Sequence, residues 1–250
     1  MNRMTPIVIT GYTAAGKTTH SRLLAEALGY HHVWAAALLL DRLGYEDVRS
    51  RESELWFGQS EAIELRRAKS DVDAWVDNEL LRLAVKGNVV LDSRFLPWLR
   101  GVECLNIWLE SDFRSRANKC LRSVPSIEPH PTLAQCAVHV HEKDGRDVSR
   151  VASNYSGIFA ADPQKHQLII DISDFAYPSS SGPESLDLIA KAQTYIQAAV
   201  AWHFGDPAPA AQLATAHPKD AWGVYHQMPG LWSDLNAIGV PHIPEGKLLR

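Results

Sequence analysis

The sequence predicts an α/β protein, a parallel sheet covered by helices on both faces. Two observations predict it. Short apolar runs bounded by turn residues alternate with helical stretches along most of the chain, the pattern of strands joined by helical crossovers. The first run, Ile7-Val8-Ile9, also passes through a short glycine-bearing loop straight into a helical stretch, Thr18 to Leu28, with Leu23, Leu24, Ala27 and Leu28 on one face.

The remaining elements follow in order. His32-Val33-Trp34 reads as a short second strand and Ala35 to Leu43 as a short apolar helix. Ser53 to Lys69 and Val72 to Lys86 read as helices, the latter ended by Gly87 as a C-terminal cap. Asn88 to Asp92 is a buried strand and Cys104 to Leu109 another. Asp112 to Arg122 and Thr132 to Tyr155 read as helices, broken apart by Pro125, Pro129 and Pro131. Gln167 to Ile172 is the last strand and Glu184 to Trp202 the last helix. From Phe204 onward, Pro207, Pro209, Pro218, Pro229, Pro241 and Pro244 interrupt any long element. Trp222, Tyr225 and Trp232 make that tail too apolar for a free linker, so it is expected to pack over the ligand cleft of the sheet or onto a second subunit of a homodimer.

Composition narrows the function classes. The 250 residues are 46% hydrophobic and 22% charged, enough for one large domain or a domain with an appendage. A net charge of −4 argues against nucleic acid as a partner. Cys104, Cys120 and Cys136 form no C-x-x-C pair, and their odd number favours reduced thiols and a cytoplasmic setting. The longest apolar run, Val33 to Leu40, is too short to span a membrane, and the N-terminus shows no signal-peptide core. His31-His32 and His139-x-His141 have spacings a metal could use but lack a third ligand, so structural histidines are the expectation.

The loop itself carries the chemistry. Gly11-Tyr12-Thr13-Ala14-Ala15-Gly16-Lys17-Thr18 is a complete G-x-x-x-x-G-K-[ST] sequence in the required strand, loop, helix context. Such a loop turns successive backbone N–H groups toward phosphates, and the helix dipole adds partial positive charge. Lys17 would reach the β- and γ-phosphates, the Thr18 hydroxyl would sit on Mg²⁺, and Thr19 follows on the helix. The pattern implies a chain that handles a nucleoside triphosphate.

Two further groups belong beside the loop. Val89-Val90-Leu91-Asp92-Ser93-Arg94 is an apolar strand ending in a carboxylate, at the sheet edge where α/β proteins bind ligands. Asp92 could hold a Mg²⁺-bound water or accept a proton from an attacking hydroxyl, and Arg94 offers a planar cation to phosphate oxygens. Arg114, Arg116, Lys119 and Arg122, then Lys143, Arg146 and Arg150, form a basic constellation. A pair of helices closing over the nucleotide could use it to neutralise the moving phosphoryl group.

With these residues in place, the chain resembles the nucleoside monophosphate kinase group, and within it the compact archaeal-type cytidylate kinases. The matching stretches are Ile7 to Leu28, His32-Val33, Asp73 to Arg94, and Ile107-Trp108-Leu109 with Arg114. The order continues through Arg146, Arg150, Tyr155 and Leu168 to Ile172, so it covers roughly residues 5 to 175. The resemblance implies a P-loop NTPase three-layer α/β/α sandwich with a five-stranded parallel sheet. It also implies a helical acceptor-binding insertion at about 35–72 and an arginine-bearing lid at about 112–150, giving a kinase domain over 1–203 and an extension over 204–250.

On that footing the catalytic candidates are Lys17, Asp92, Arg114 and Arg150. The nucleotide candidates are Gly11, Tyr12, Thr13, Ala14, Ala15, Gly16, Lys17, Thr18, Thr19 and Arg116, and the metal candidates are Thr18 and Asp92. Trp34, Asp41, Arg42, Trp56 and Arg94 are the candidates for holding the acceptor.

The departures bear on that acceptor. The resemblance expects Ser-x-Gly-Asp/Glu after the second strand, then an arginine gripping the acceptor's phosphate; Trp34, Ala36, Ala37 and Leu40 take those four places, with Arg42 two residues on. Burying an acceptor phosphate without a paired cation is costly. The surrounding segment is also rich in acids, among them Asp41, Glu46, Asp47, Glu61, Asp73 and Asp77, which favours an amine-bearing or neutral polyol. The expectation is an ATP- and Mg²⁺-dependent phosphotransferase acting on a hydroxyl of a small polar metabolite, antibiotic-, aminocyclitol- or nucleoside-like. The alternatives are a cytidylate kinase, or a regulatory protein that binds ATP without transferring phosphate.

Overall fold

The computed structural model describes residues 4–45, 71–99, 101–123, 130–155, 157–162, 164–173, 183–206 and 224–225. Its sheet contains β1 (Ile7–Thr10), β2 (His31–Trp34), β3 (Val89–Asp92), β4 (Leu105–Glu110), β5 (Leu168–Asp171) and β6 (Val224–Tyr225), in the spatial order β2-β3-β1-β4-β5-β6. The first five strands run parallel. The sixth pairs antiparallel with β5, Ile169 opposite Tyr225 and Ile170 opposite Val224.

Alternation along β1 divides the core. Ile7 and Ile9 face one side, where they share a buried cluster with Leu24 of α1 (Lys17–Leu28) and Ile196 of α6 (Pro183–His203). Val8 faces the other, with Leu40 of α2 (Ala35–Leu43) and Leu80 of α3 (Val72–Lys86). Each such fully buried aliphatic side chain contributes roughly 1.5–3 kcal/mol. The two clusters therefore fix the sheet between two helical layers, as expected from the alternating pattern. A third cluster, Trp98, Trp108, Val151, Phe159 and Ile169, packs against Tyr12, Phe95 and Tyr155.

Two more helices complete the described chain, α4 (Phe113–Arg122) and α5 (Leu133–Asn154). Local chemistry sets their starts. Asp112 accepts the Ser115 amide at 2.9 Å to cap α4, and Thr132 with Gln135 forms a reciprocal capping box on α5. Cys120, Cys136 and Val140 seal the two helices together in a small apolar cluster that also touches Ala14. All three cysteines are free thiols. Among the described residues, no helix is long and apolar enough to cross a membrane.

The structure adds one thing the sequence did not disclose. The tail contributes a strand at the β5 edge, whereas α2, which follows β2, lies at the opposite edge of the sheet. The Val224–Tyr225 strand therefore lies at the sheet edge remote from α2. The expected helix Ser53 to Lys69, and Trp56, Trp222 and Trp232, lie outside the described residues.

Candidate active site

Strand register builds the site. Ile9 pairs with Asp92, and Asp92 in turn lies opposite Trp34 of β2, so the ends of three strands meet at one carboxylate. The turn after β3 is pinned by the Ser93 amide donating to Ile9 O at 3.2 Å and the Thr10 hydroxyl donating to Arg94 O at 3.0 Å. Asp92 is buried, and its Oδ2 accepts the Thr18 hydroxyl at 2.5 Å. These two oxygen ligands fit Mg²⁺, which prefers hard oxygen donors, takes few carboxylates and completes its shell with phosphate and water. No cluster of three or more carboxylate, histidine or cysteine ligands occurs among the described residues.

The phosphate loop is tightly wound. Gly11 has φ 147°, and a Cβ there would run into the Leu109 carbonyl, so this position requires glycine. Ala14 holds φ 60°, a left-handed conformation that costs an L-residue on the order of 1–3 kcal/mol and marks local strain. The Lys17 ammonium donates to the Tyr12 carbonyl at 2.7 Å. Burial pushes Lys17 down to about 8, the Arg94 charge adding to that, while Asp92, Asp147 and Asp144 oppose it.

Helices α4 and α5 bring their charges onto this loop. Arg116 donates through Nη1 to Thr13 O at 3.2 Å and to Asp144 Oδ2 at 2.5 Å, with its guanidinium over the Tyr12 ring at 5.1 Å. Asp144 Oδ1 accepts the Thr13 amide at 2.9 Å. Lys119 donates to Ala15 O at 3.3 Å and to the Ser111 hydroxyl at 3.1 Å, and burial lowers it to about 8. Lys143 is lowered to about 7 by burial and then by the Arg94 charge, with Lys17 adding a smaller push. Three cations so close together favour a polyanion between them.

Arg94 and Arg150 are paired with carboxylates. Arg94 Nη1 donates to Asp147 Oδ2 at 2.6 Å. Arg150 pairs with Asp73 of α3 and lies over the Phe95 ring at 4.9 Å. The Tyr155 hydroxyl donates to Asp77 at 2.7 Å, and burial followed by that carboxylate raises its pKa.

The sequence candidates thus fall into groups. Lys17, Thr18, Asp92, Arg94 and Arg116 come together with the loop, and Trp34 stands beside Asp92. Arg150 sits at the α3–α5 contact with Asp73 rather than among the loop contacts. Arg114 is exposed on α4, one position from the buried Ser115 and two from Arg116, because helical rotation turns it away. Asp41 is exposed. Arg42 lies along Trp75 at 5.2 Å and 3.9 Å from Asp71, and Leu40 is buried in the core. Trp56 lies outside the described residues. Sequence reasoning missed Asp144 and Asp147; their three-residue spacing to one another and to Arg150 puts all three along one side of α5, a signal that was readable.

A strand-end carboxylate bonded to the loop threonine, with cations about the loop, is an arrangement that fits a P-loop kinase. Comparisons with known proteins agree. Residues 7–118 match the family model described as an AAA domain. Cytidylate kinase from Pyrococcus furiosus is 26% identical over 186 residues, which cover 74% of this chain and 86% of that protein. Cytidylate kinase from Pyrococcus horikoshii is 27% identical over the same shares of the two chains. Shikimate kinase from Bacteroides thetaiotaomicron superposes with a TM-score of 0.50 at 16% identity, covering 79% of this chain and 98% of its own, a likeness of fold. The chain is an ATP-dependent kinase of P-loop fold, and its sequence is similar to that of archaeal cytidylate kinases.

Proposed function

We propose that this kinase transfers the γ-phosphate of Mg-ATP to a hydroxyl of a small polar metabolite that carries no phosphate of its own. An aminocyclitol, an amine-bearing antibiotic or a nucleoside has the right chemistry. The observation that carries this reading is the pairing on the acceptor side. Arg94 is engaged by Asp147 and Arg150 by Asp73, while Asp77 holds Tyr155. Such a wall offers hydrogen bonds without excess positive charge, which suits hydroxyl and ammonium groups better than a phosphate dianion.

The phosphate loop would hold the polyphosphate through its backbone amides and Lys17. Thr18 would hold Mg²⁺, which would supply positive charge to the polyphosphate. A hydroxyl, unlike a phosphate oxygen, must lose its proton as it attacks. Asp92, at the junction of β1, β2 and β3, is the carboxylate suited to receive it, with Trp34 shaping the acceptor's approach. The cations Arg94, Arg116, Lys119 and Lys143 would stabilise charge spreading over the transferred group.

One observation favours a second reading, phosphorylation of CMP or dCMP. The cytidylate kinase relatives align with three quarters of this chain, and Arg94 would suit a phosphate oxygen. Competition by CMP against the hydroxyl acceptor separates the two readings. The Asp92→Asn variant tests the proton role. With Asp92 as base rather than metal ligand, acceptor-dependent ADP release falls roughly 10²–10⁴-fold while the ATP KM changes little; full turnover, or a loss confined to the ATP KM, refutes the assignment.

A further inference from the structure

The Asp144 carboxylate engages the same donors that a nucleotide's phosphates would use. Its Oδ1 accepts the Thr13 amide at 2.9 Å, a backbone donor of the phosphate loop itself. Its Oδ2 accepts from Arg116, whose guanidinium also contacts the Thr13 carbonyl and the Tyr12 ring. Thr13 is fully buried, and its hydroxyl has no hydrogen-bond partner in the structure. One anionic group, carried in on helix α5, therefore draws on both a loop amide and the cation that rests on that loop.

We infer that Asp144 is a displaceable internal surrogate for a nucleotide phosphate, so that polyphosphate and lid helix compete for Thr13 and Arg116. The inference rests on the reading that the loop binds a nucleoside triphosphate. A carboxylate and a phosphate cannot share these donors without like-charge repulsion. A phosphate brings more acceptor oxygens than a carboxylate, enough to serve the Thr13 hydroxyl as well. Asp144 accordingly acts as a positioning residue. It holds Arg116 ready over the loop, weakens polyphosphate binding, and speeds release of the nucleoside diphosphate after transfer. Its neighbours on α5 extend the coupling, because Asp147 holds Arg94 one turn further along the helix.

The test is equilibrium binding of Mg-ATP, inorganic tripolyphosphate and adenosine to the full chain and to Asp144→Asn, which keeps a hydrogen-bonding side chain without the charge. Competition predicts that the variant binds Mg-ATP and tripolyphosphate about tenfold more tightly, near 1.4 kcal/mol, with adenosine unchanged. Equal or weaker polyphosphate binding by a folded variant overturns the inference and makes Asp144 a fixed brace. Should the variant fail to fold, the wild-type chain decides. The carboxyl carbon resonance of Asp144 moves on adding tripolyphosphate if the group is displaced, and stays in place if it is not. Absence of Mg-ATP and tripolyphosphate binding by the wild-type chain overturns the phosphate-loop reading itself, a different failure from an unchanged affinity in the variant.

Discussion

Thr18 and Asp92 are separated by 74 positions, yet one hydroxyl and one carboxylate oxygen stand 2.5 Å apart because β1 and β3 are neighbours in register. The charges around them give a pH dependence of definite sign. Lys17, Lys119 and Lys143 lie near 8, 8 and 7, well below an ordinary lysine, with burial the leading cause. All three therefore shed protons as pH rises through 7 to 9. A bound polyphosphate favours their charged forms, so nucleotide binding at pH 8 should take up protons, and affinity should fall as pH climbs past about 8. Calorimetry in two buffers of different ionisation enthalpy measures the uptake; zero uptake at pH 8 would contradict these shifts. Most of this residue-level site was legible. Lys17, Thr18, Asp92 and Arg94 announce themselves because their spacing within strand, loop and helix is local. Asp144 and Asp147 were not recognised: their spacing places them on one side of α5, but an acid on a charged helix does not name its partner until the helix is docked.

At the level of elements, the parallel strands and their crossover helices were readable from apolar runs and breakers, and boundaries moved by only a residue or so. The predicted strand Cys104 to Leu109 is observed as Leu105–Glu110, for instance. Arg114 shows the limit of such reading. A basic run fixes the presence of cations on α4, but the rotation of the docked helix chooses Arg116 and Lys119 for the loop. The sixth strand is the other lesson. Two residues pairing with β5 carry no periodicity of their own, so their position depends on an unsatisfied sheet edge rather than on their sequence. Removing residues 206–250 should uncover that edge. Self-association or a lowered thermal midpoint is expected, with the acceptor KM unchanged because β5 lies on the far side of the sheet from β2. A raised acceptor KM in the truncated chain would return the tail to the acceptor cleft.

At the scale of the molecule, the described charges divide between the phosphate loop and the contact of α3 with α5. Lys17, Arg116, Lys119 and Lys143 gather at the phosphate loop, while Asp147 pairs with Arg94, Asp73 with Arg150, and Asp77 accepts from the Tyr155 hydroxyl. On the proposed reading, that division would suit a hydroxyl acceptor better than a nucleotide one. The most direct measurement is transfer of labelled phosphate from Mg-ATP to CMP, with amino-sugars and nucleosides assayed beside it. A phosphomonoester on a hydroxyl compound, lost in Asp92→Asn, with CMP left unmodified, is the predicted result. Rapid phosphorylation of CMP would contradict it and make the acceptor a nucleotide.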